Sequence, residues 1–296
     1  MGEKTMRKLA KPMLFLAAFI WGSSFFIMKN ALDDLPVQYL LALRFTTGAV
    51  LLGLFCWKKW RDFTRDYLWR GAVIGAFLYL AYSIQTYGLA LTTPSKNAFL
   101  TSVYCVMVPF LYWAVLRVRP DRFNILAAVL CVAGVGLVSL SGALTVQLGD
   151  ALTLLCAVFY AAHIVAVAKV SPGKDIYLLT VFQFAFAALY AWIGGALTET
   201  FPAAALVRAD ILLPLAYLGV MATTVALLFQ NVGQVWSDPA SASVILSLES
   251  VFGVLTSVIF AGDRVSVQMC AGFALIFVAV VCSETKFRFL RRKRAS

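Results

Sequence analysis

Charge is scarce in this 296-residue chain: 13% of its residues are Asp, Glu, Lys or Arg, against 62% hydrophobic. Such a surface would be insoluble in water, which excludes a globular domain exposed to solvent, yet it suits a bundle facing lipid. Acidic residues number 14 and histidine occurs once. No glycine loop of the phosphate-cradling kind, no paired acidic site and no nucleophile elbow occurs, so the chemistry of an ATP-driven pump or a membrane hydrolase is missing. No enzyme and no cofactor are expected. The six cysteines, Cys56, Cys105, Cys131, Cys156, Cys270 and Cys282, stand far apart, without the close spacing of a metal or redox site. They read as small apolar packing residues.

What the chain has instead is hydrocarbon length. Ten apolar segments of roughly 20 residues fall near 12–30, 36–57, 68–91, 94–116, 122–141, 149–168, 176–197, 210–234, 239–261 and 265–284. Apolar residues run unbroken where a barrel strand would alternate, so these are helices. The first follows basic residues as a signal peptide would, but it is too long and lacks a small-residue cleavage site. With the N-terminus inside, 20 Lys and Arg lie on the inner side and only Lys29, Lys96, Arg208 and Arg264 on the outer, which predicts cytoplasmic termini in a cytoplasmic or inner membrane. The basic tail from Lys286 to Arg294 reads as a topology anchor, and no nucleic acid is expected as a partner.

The second half repeats the first. Ala18-Phe19-Ile20-Trp21 with Ser24 returns 139 positions later as Ala157-Val158-Phe159-Tyr160 with His163, and Arg44-Phe45 lies on Gln183-Phe184. Gln85, Gly88 and Pro94 fall on Gln230, Gly233 and Pro239 at a displacement of 145. Five spans per half make the second copy enter from the opposite face, giving an inverted pair with a site expected near the midplane. The fold class is therefore an all-α integral membrane protein of ten transmembrane helices, with repeats over residues 1–145 and 146–296. A duplicated chain of this kind points to a transporter of a small molecule across the lipid bilayer.

Trp21 with Lys29, Arg44-Phe45, and Pro94-Ser95-Lys96-Asn97-Ala98-Phe99-Leu100 opening the fourth span resemble the EamA branch of the drug/metabolite transporter superfamily. Gly149-Asp150, Gly262-Asp263-Arg264 and Gly272 extend the resemblance through the second half. It implies a ten-helix secondary transporter, often an exporter of amino acids, other small metabolites or toxic compounds. Two positions depart from the family pattern. Leu116-Arg117-Val118-Arg119 stands where an acidic residue is usual, and Asp263 where Glu is usual; both bear on helix connection more than on substrate.

Ionisable groups inside a span cost roughly 2.5–3.5 kcal/mol on insertion scales, so each faces a partner or a wet cavity. Arg44, His163 and Glu249 qualify. Glu249 lies at the middle of the ninth span and either hydrogen-bonds a neighbouring helix, binds a substrate ammonium or carries a coupling proton. Asn97, Thr101 and Tyr104 share a face of the fourth span, with Ala242, Leu246 and Glu249 on the corresponding face of the ninth. Trp21 and Ser24 match Tyr160 and His163 in depth, and His163 is either a coupling or binding group or a neutral packed histidine. Tyr79 and Tyr82 share a face of the third span; Gln85 and Gln230 bond either another helix or a ligand, with Asn231 and Gln234 beyond. Gly71 and Gly75 mark close helix contact. The resemblance makes Arg44 a structural charge, clamping carbonyls or a carboxylate, more than a binder of substrate.

The reading is alternating access, with the first, third, fourth, sixth, eighth and ninth spans around a midplane cavity for a small uncharged or zwitterionic metabolite. The alternatives are a proton-coupled drug or organic-cation exporter, and a membrane receptor or scaffold that transports nothing. A channel would need a polar stripe through several helices, which the apolar remainder of each span argues against.

Overall fold

The structure, a computed structural model, describes residues 3–117, 119–139, 147–236 and 239–286. Its regular elements there are all helical: α1 (Glu3–Ala31), α2 (Val37–Phe55), α3 (Asp66–Leu91), α4 (Pro94–Thr101), α5 (Tyr104–Leu116), α6 (Arg122–Ser139), α7 (Leu148–Val170), α8 (Ile176–Thr198), α9 (Ala209–Ala216), α10 (Ala226–Val235), α11 (Pro239–Thr256) and α12 (Val267–Thr285). Among the described residues eight runs are long and apolar enough to cross a membrane, and two shorter apolar helices, Ile245–Ala261 and Val267–Ser283, follow them. Together they fill the ten expected segments. Val118, most of the basic tail, and the side chains of Asn231, Gln234 and Ala242 lie outside what is described.

Three spans depart from a plain α-helix: the ninth ends in a short π-helix, Ser257–Ala261, and the fourth and eighth do so for evident local reasons. The fourth breaks between α4 and α5, where the Ser102 hydroxyl donates to the Phe99 carbonyl and the next turns tighten, Val103 N donating to Leu100 O. The eighth passes from α9 through a π-helix, Tyr217–Val225, into α10. That wider winding follows Pro214, and the hydroxyls of Thr223 and Thr224 donate to the carbonyls five residues back, Leu218 and Gly219.

The two halves pack as an inverted pair. α2 lies on α8 and α6 on α12, each span against its own counterpart, while α3 lies on α7 as α10 lies on α1. The correspondence reaches single atoms. A Cβ on Gly88 would stand 2.7 Å from Thr153 Oγ1 and 3.0 Å from the Gly149 carbonyl oxygen; on Gly233 it would stand 2.6 Å from Leu14 Cγ and 3.0 Å from the Ala10 carbonyl oxygen. Ala10 and Leu14 are the repeat counterparts of Gly149 and Thr153. α6 and α12 cross at Gly134 and Gly272, where a Cβ on either would lie 2.8 Å from the other's carbonyl oxygen. Small residues at such crossings let backbones approach, which is where helix association in lipid gains its dispersion energy. Gly71 and Gly75 do the same for α3 against Phe182 and Gln183 of α8. Five cysteines are buried, but Cys270 is exposed on α12, so the packing role expected of all six fits five.

Candidate functional site

The motif residues at the ends of the spans converge on one place, the junction of α3 with α4. Lys29 Nζ donates to the carbonyls of Leu89, Ala90 and Thr92 at 2.8, 2.8 and 3.2 Å, satisfying the orphan acceptors at the C-terminus of α3. Asp150, fully buried at the start of α7, accepts from Thr92 Oγ1 at 2.6 Å and from Lys96 Nζ at 3.0 Å. Asp263 accepts from Ser95 N and Oγ at 3.1 and 2.7 Å, and also from Ser257 Oγ. Two carboxylates from the second half thus hold the N-terminus of α4, where the exposed amides and the helix dipole favour negative charge.

One level deeper lies a polar network closed by residues of α3, α4 and α7. Tyr160 donates to Gln85 Oε1 at 2.8 Å, and Gln85 Nε2 donates to Thr101 Oγ1 at 3.0 Å. Asn97 Nδ2 donates to Thr153 Oγ1 at 2.8 Å and the Gln85 carbonyl at 3.2 Å, while its buried Oδ1 has no hydrogen-bond partner among the described residues. Thr101 also meets Cys156 Sγ at 3.8 Å. These residues are almost solvent-free: Asn97 is 0% exposed, Thr101 3% and Gln85 4%. Thr153 and Cys156 were missed in the sequence, although with Tyr160 they share one face at i, i+3, i+7 spacing.

At mid-depth the packing loosens into an aromatic group. The Tyr160 ring lies between Tyr82 and Tyr104, with centroids 5.4 and 5.9 Å away. All three tyrosines are half-buried. The break before α5 does not turn Tyr104 away, since Thr101 and Tyr104 both reach α7. Glu249, 8% exposed on α11, makes no ion pair among the described residues. Counterpart Leu246 is buried in the main apolar core, and Gln230 is half-buried on α10.

Among the described residues Arg44 binds neither the carbonyls nor the carboxylate expected of it. Its Nε donates to Thr223 Oγ1 at 2.6 Å, its NH1 approaches Met28 Sδ at 3.6 Å, and its guanidinium lies 4.8 Å from the Tyr82 ring centroid. The π-helix, by turning Thr223 toward α2, supplies that acceptor. The remaining candidates scatter. Trp21 Nε1 donates to the Ala222 carbonyl at 2.7 Å, and Ser24 spends its hydroxyl on the Trp21 carbonyl at 2.7 Å. Tyr79 packs on Tyr190 of α8, centroids 5.9 Å apart, away from the other tyrosines. His163 meets Gln183, the repeat counterpart of Arg44, and its buried Nε2 has no hydrogen-bond partner among the described residues. Among the described residues no group of three His, Cys, Asp or Glu side chains is placed to hold a metal ion.

Comparison with known proteins agrees with this architecture. A crystal structure of another protein superposes with a TM-score of 0.67 at 19% identity, covering 94% of this chain and 98% of that one, which is a likeness of fold. A protein of Archaeoglobus fulgidus, described as an uncharacterized transporter, is 34% identical over 280 residues, which is 94% of this chain and 87% of the relative. The model of the EamA-like transporter family matches twice, over residues 9–140 and again over 147–285. This multi-pass membrane protein belongs to the EamA-like transporter family.

Proposed function

We propose that the chain is a secondary-active transporter that moves small metabolites, amino acids foremost, out of the cell by alternating access. Residues 1–145 and 146–296 are its two repeats, and the first, third, fourth, sixth, eighth and ninth spans of the two rock about the cavity while the second, fifth, seventh and tenth give support. The observation that carries the reading is the half-buried group of Tyr82, Tyr104 and Tyr160 at mid-depth, with dense packing between it and the α3–α4 junction; to this we add the buried Glu249 of α11 as the carboxylate that faces it. An amphipathic solute with an ammonium group would find ring faces and a carboxylate there. Gln85 borders it through its hydrogen bond from Tyr160, and Trp21, Ser24, Tyr79, His163 and Gln230 are further proposed substrate contacts that the helices would have to bring to it as they move. The termini face the cytoplasm, because 20 cationic residues crowd one side.

Purified protein challenged with amino acids, nucleosides and quaternary amines should gain thermal stability with one class only, since a ligand that binds the folded state alone raises the melting temperature. Loss of that shift in Glu249→Gln or Tyr160→Phe is the expected companion result. No shift with any class, in protein whose fold is intact, would sink the reading.

The second reading is a proton-coupled exporter of organic cations, favoured by the absence of any ion-pair partner for Glu249 among the described residues. Glu249→Gln would then abolish transport driven by a pH gradient while leaving exchange of labelled for unlabelled substrate intact. Loss of both, or of neither, removes Glu249 from coupling.

A further inference from the structure

The connection between α2 and α3 is a short 3-10 helix, Trp57–Asp62, with no buried residue, yet it is pinned in place. Trp60 Nε1 donates to the Gly53 carbonyl at 3.0 Å, and its ring packs on Phe182. Phe63 stacks on the same Phe182 at 5.3 Å. Lys59 pairs with Asp175 and lies 4.4 Å from the Tyr177 ring centroid. This anchoring leaves a cleft of about 390 Å³, lined by Phe55, Cys56, Trp57, Lys58, Lys59 and Tyr177.

The cleft has two chemistries. One wall continues into the lipid-facing side of α2, where Leu54 is 66% exposed and Phe55 68%. The other carries positive charge: Lys58 is exposed and makes no ion pair among the described residues, whereas Lys59 is already neutralised by Asp175. Lys58 Nζ stands 5.6 Å from the ring centroid of Trp57, itself 64% exposed at the depth where indoles prefer the membrane interface. An occupant must therefore present an anion at one end and hydrocarbon at the other.

We propose that this cleft binds an anionic phospholipid, its phosphate on Lys58 and its first acyl carbons along Phe55 and Trp57. Because Lys59–Asp175 joins the cleft to α8, the lipid braces the packing of α2 on α8, the pair related by the repeat. The proposal is independent of substrate and of transport.

The test uses the whole protein, delipidated in neutral detergent, with melting temperature followed during titration with phosphatidylglycerol, phosphatidylcholine or inorganic phosphate. Phosphatidylglycerol should raise it saturably while the other two leave it unchanged. Lys58→Gln should weaken the phosphatidylglycerol response about five-fold, the effect of one interfacial cation, and Trp57→Ala should weaken it too. Arg264→Gln, at the opposite membrane end, should respond as the parent does. Both cleft residues are exposed, so the lipid-free melting temperatures of the variants should match the parent's and report any misfolding separately. Equal stabilisation by phosphatidylcholine, an unchanged response in both cleft variants, or full stabilisation by phosphate alone would each overturn the proposal.

Discussion

Phe45 and Phe184 stack with ring centroids 6.0 Å apart, and they hold the same position in the two repeats. Residues that are each other's counterparts can touch only on the axis relating the halves, so this pair marks where that axis passes between α2 and α8. Removing either ring should therefore open the same void. Phe45→Ala and Phe184→Ala are expected to destabilise by similar amounts, about 3 kcal/mol each. The double variant should cost clearly less than the sum, because the second truncation enlarges an existing cavity. Reversible unfolding of the three variants in detergent or bicelles checks this.

Asp150 is the most deeply enclosed acid at the α3–α4 junction. Asp150→Ala leaves Lys96 and Thr92 without their acceptor and should cost roughly 3 kcal/mol, as broken buried pairs do. Asp150→Asn keeps an acceptor for Thr92 and should cost less. Lys96→Met in the Asp150→Ala background should recover part of the loss. Equal stabilities for all three variants would show that the pair contributes nothing.

Asp175 stands outside the membrane span as the N-cap of α8, accepting from the backbone N–H groups of Tyr177 and Leu178. Partial burial would raise its carboxyl, but hydrogen bonding to Lys59 and to those amides outweighs burial and holds it below the ordinary carboxylate value. A depressed native value means stability that is complete above the unfolded-state value near 3.8 and disappears as pH falls through the native one. Melting temperature should accordingly drop more steeply below about pH 4 in the parent than in Asp175→Asn. Parallel acid limbs in the two proteins would contradict this.

Gly88 and Gly233 should be matched in their intolerance. A leucine at either has no room, since even a Cβ would lie under 3 Å from the facing helix. Gly173→Ala differs: its φ is +74° but nothing stands within 4 Å, so only backbone strain of about 1 kcal/mol is expected. Yield of monodisperse protein should fall sharply for Gly88→Leu and Gly233→Leu and stay near normal for Gly173→Ala.

The spans were readable because hydrocarbon imposes a length on every crossing and leaves no substitute for it. Interruptions within spans were not. The break at Ser102 and the π-helix before Ala226 depend on hydroxyls competing for carbonyls, and serine or threonine mid-helix does not announce which carbonyl it takes. Polar residues were visible by their cost in lipid, so Gln85, Asn97, Thr101 and Tyr160 were all noticed, whereas their mutual contacts depend on helix rotation. Trp21 illustrates the other limit. Its partner is a backbone carbonyl, which carries no signature in the sequence.

The start of α4 rests on Asp150 and Asp263, one beginning the sixth span and the other following the ninth. During synthesis the fourth span enters the bilayer long before either acid exists. The Lys96 ammonium waits for Asp150, about halfway along the chain, and the Ser95 amide and hydroxyl wait, provisionally solvated, for Asp263. Ancestral duplication aside, neither half is a finished object, and a nascent chain halted before Asp263 would carry its fourth span in place but only half fastened, by Asp150 alone.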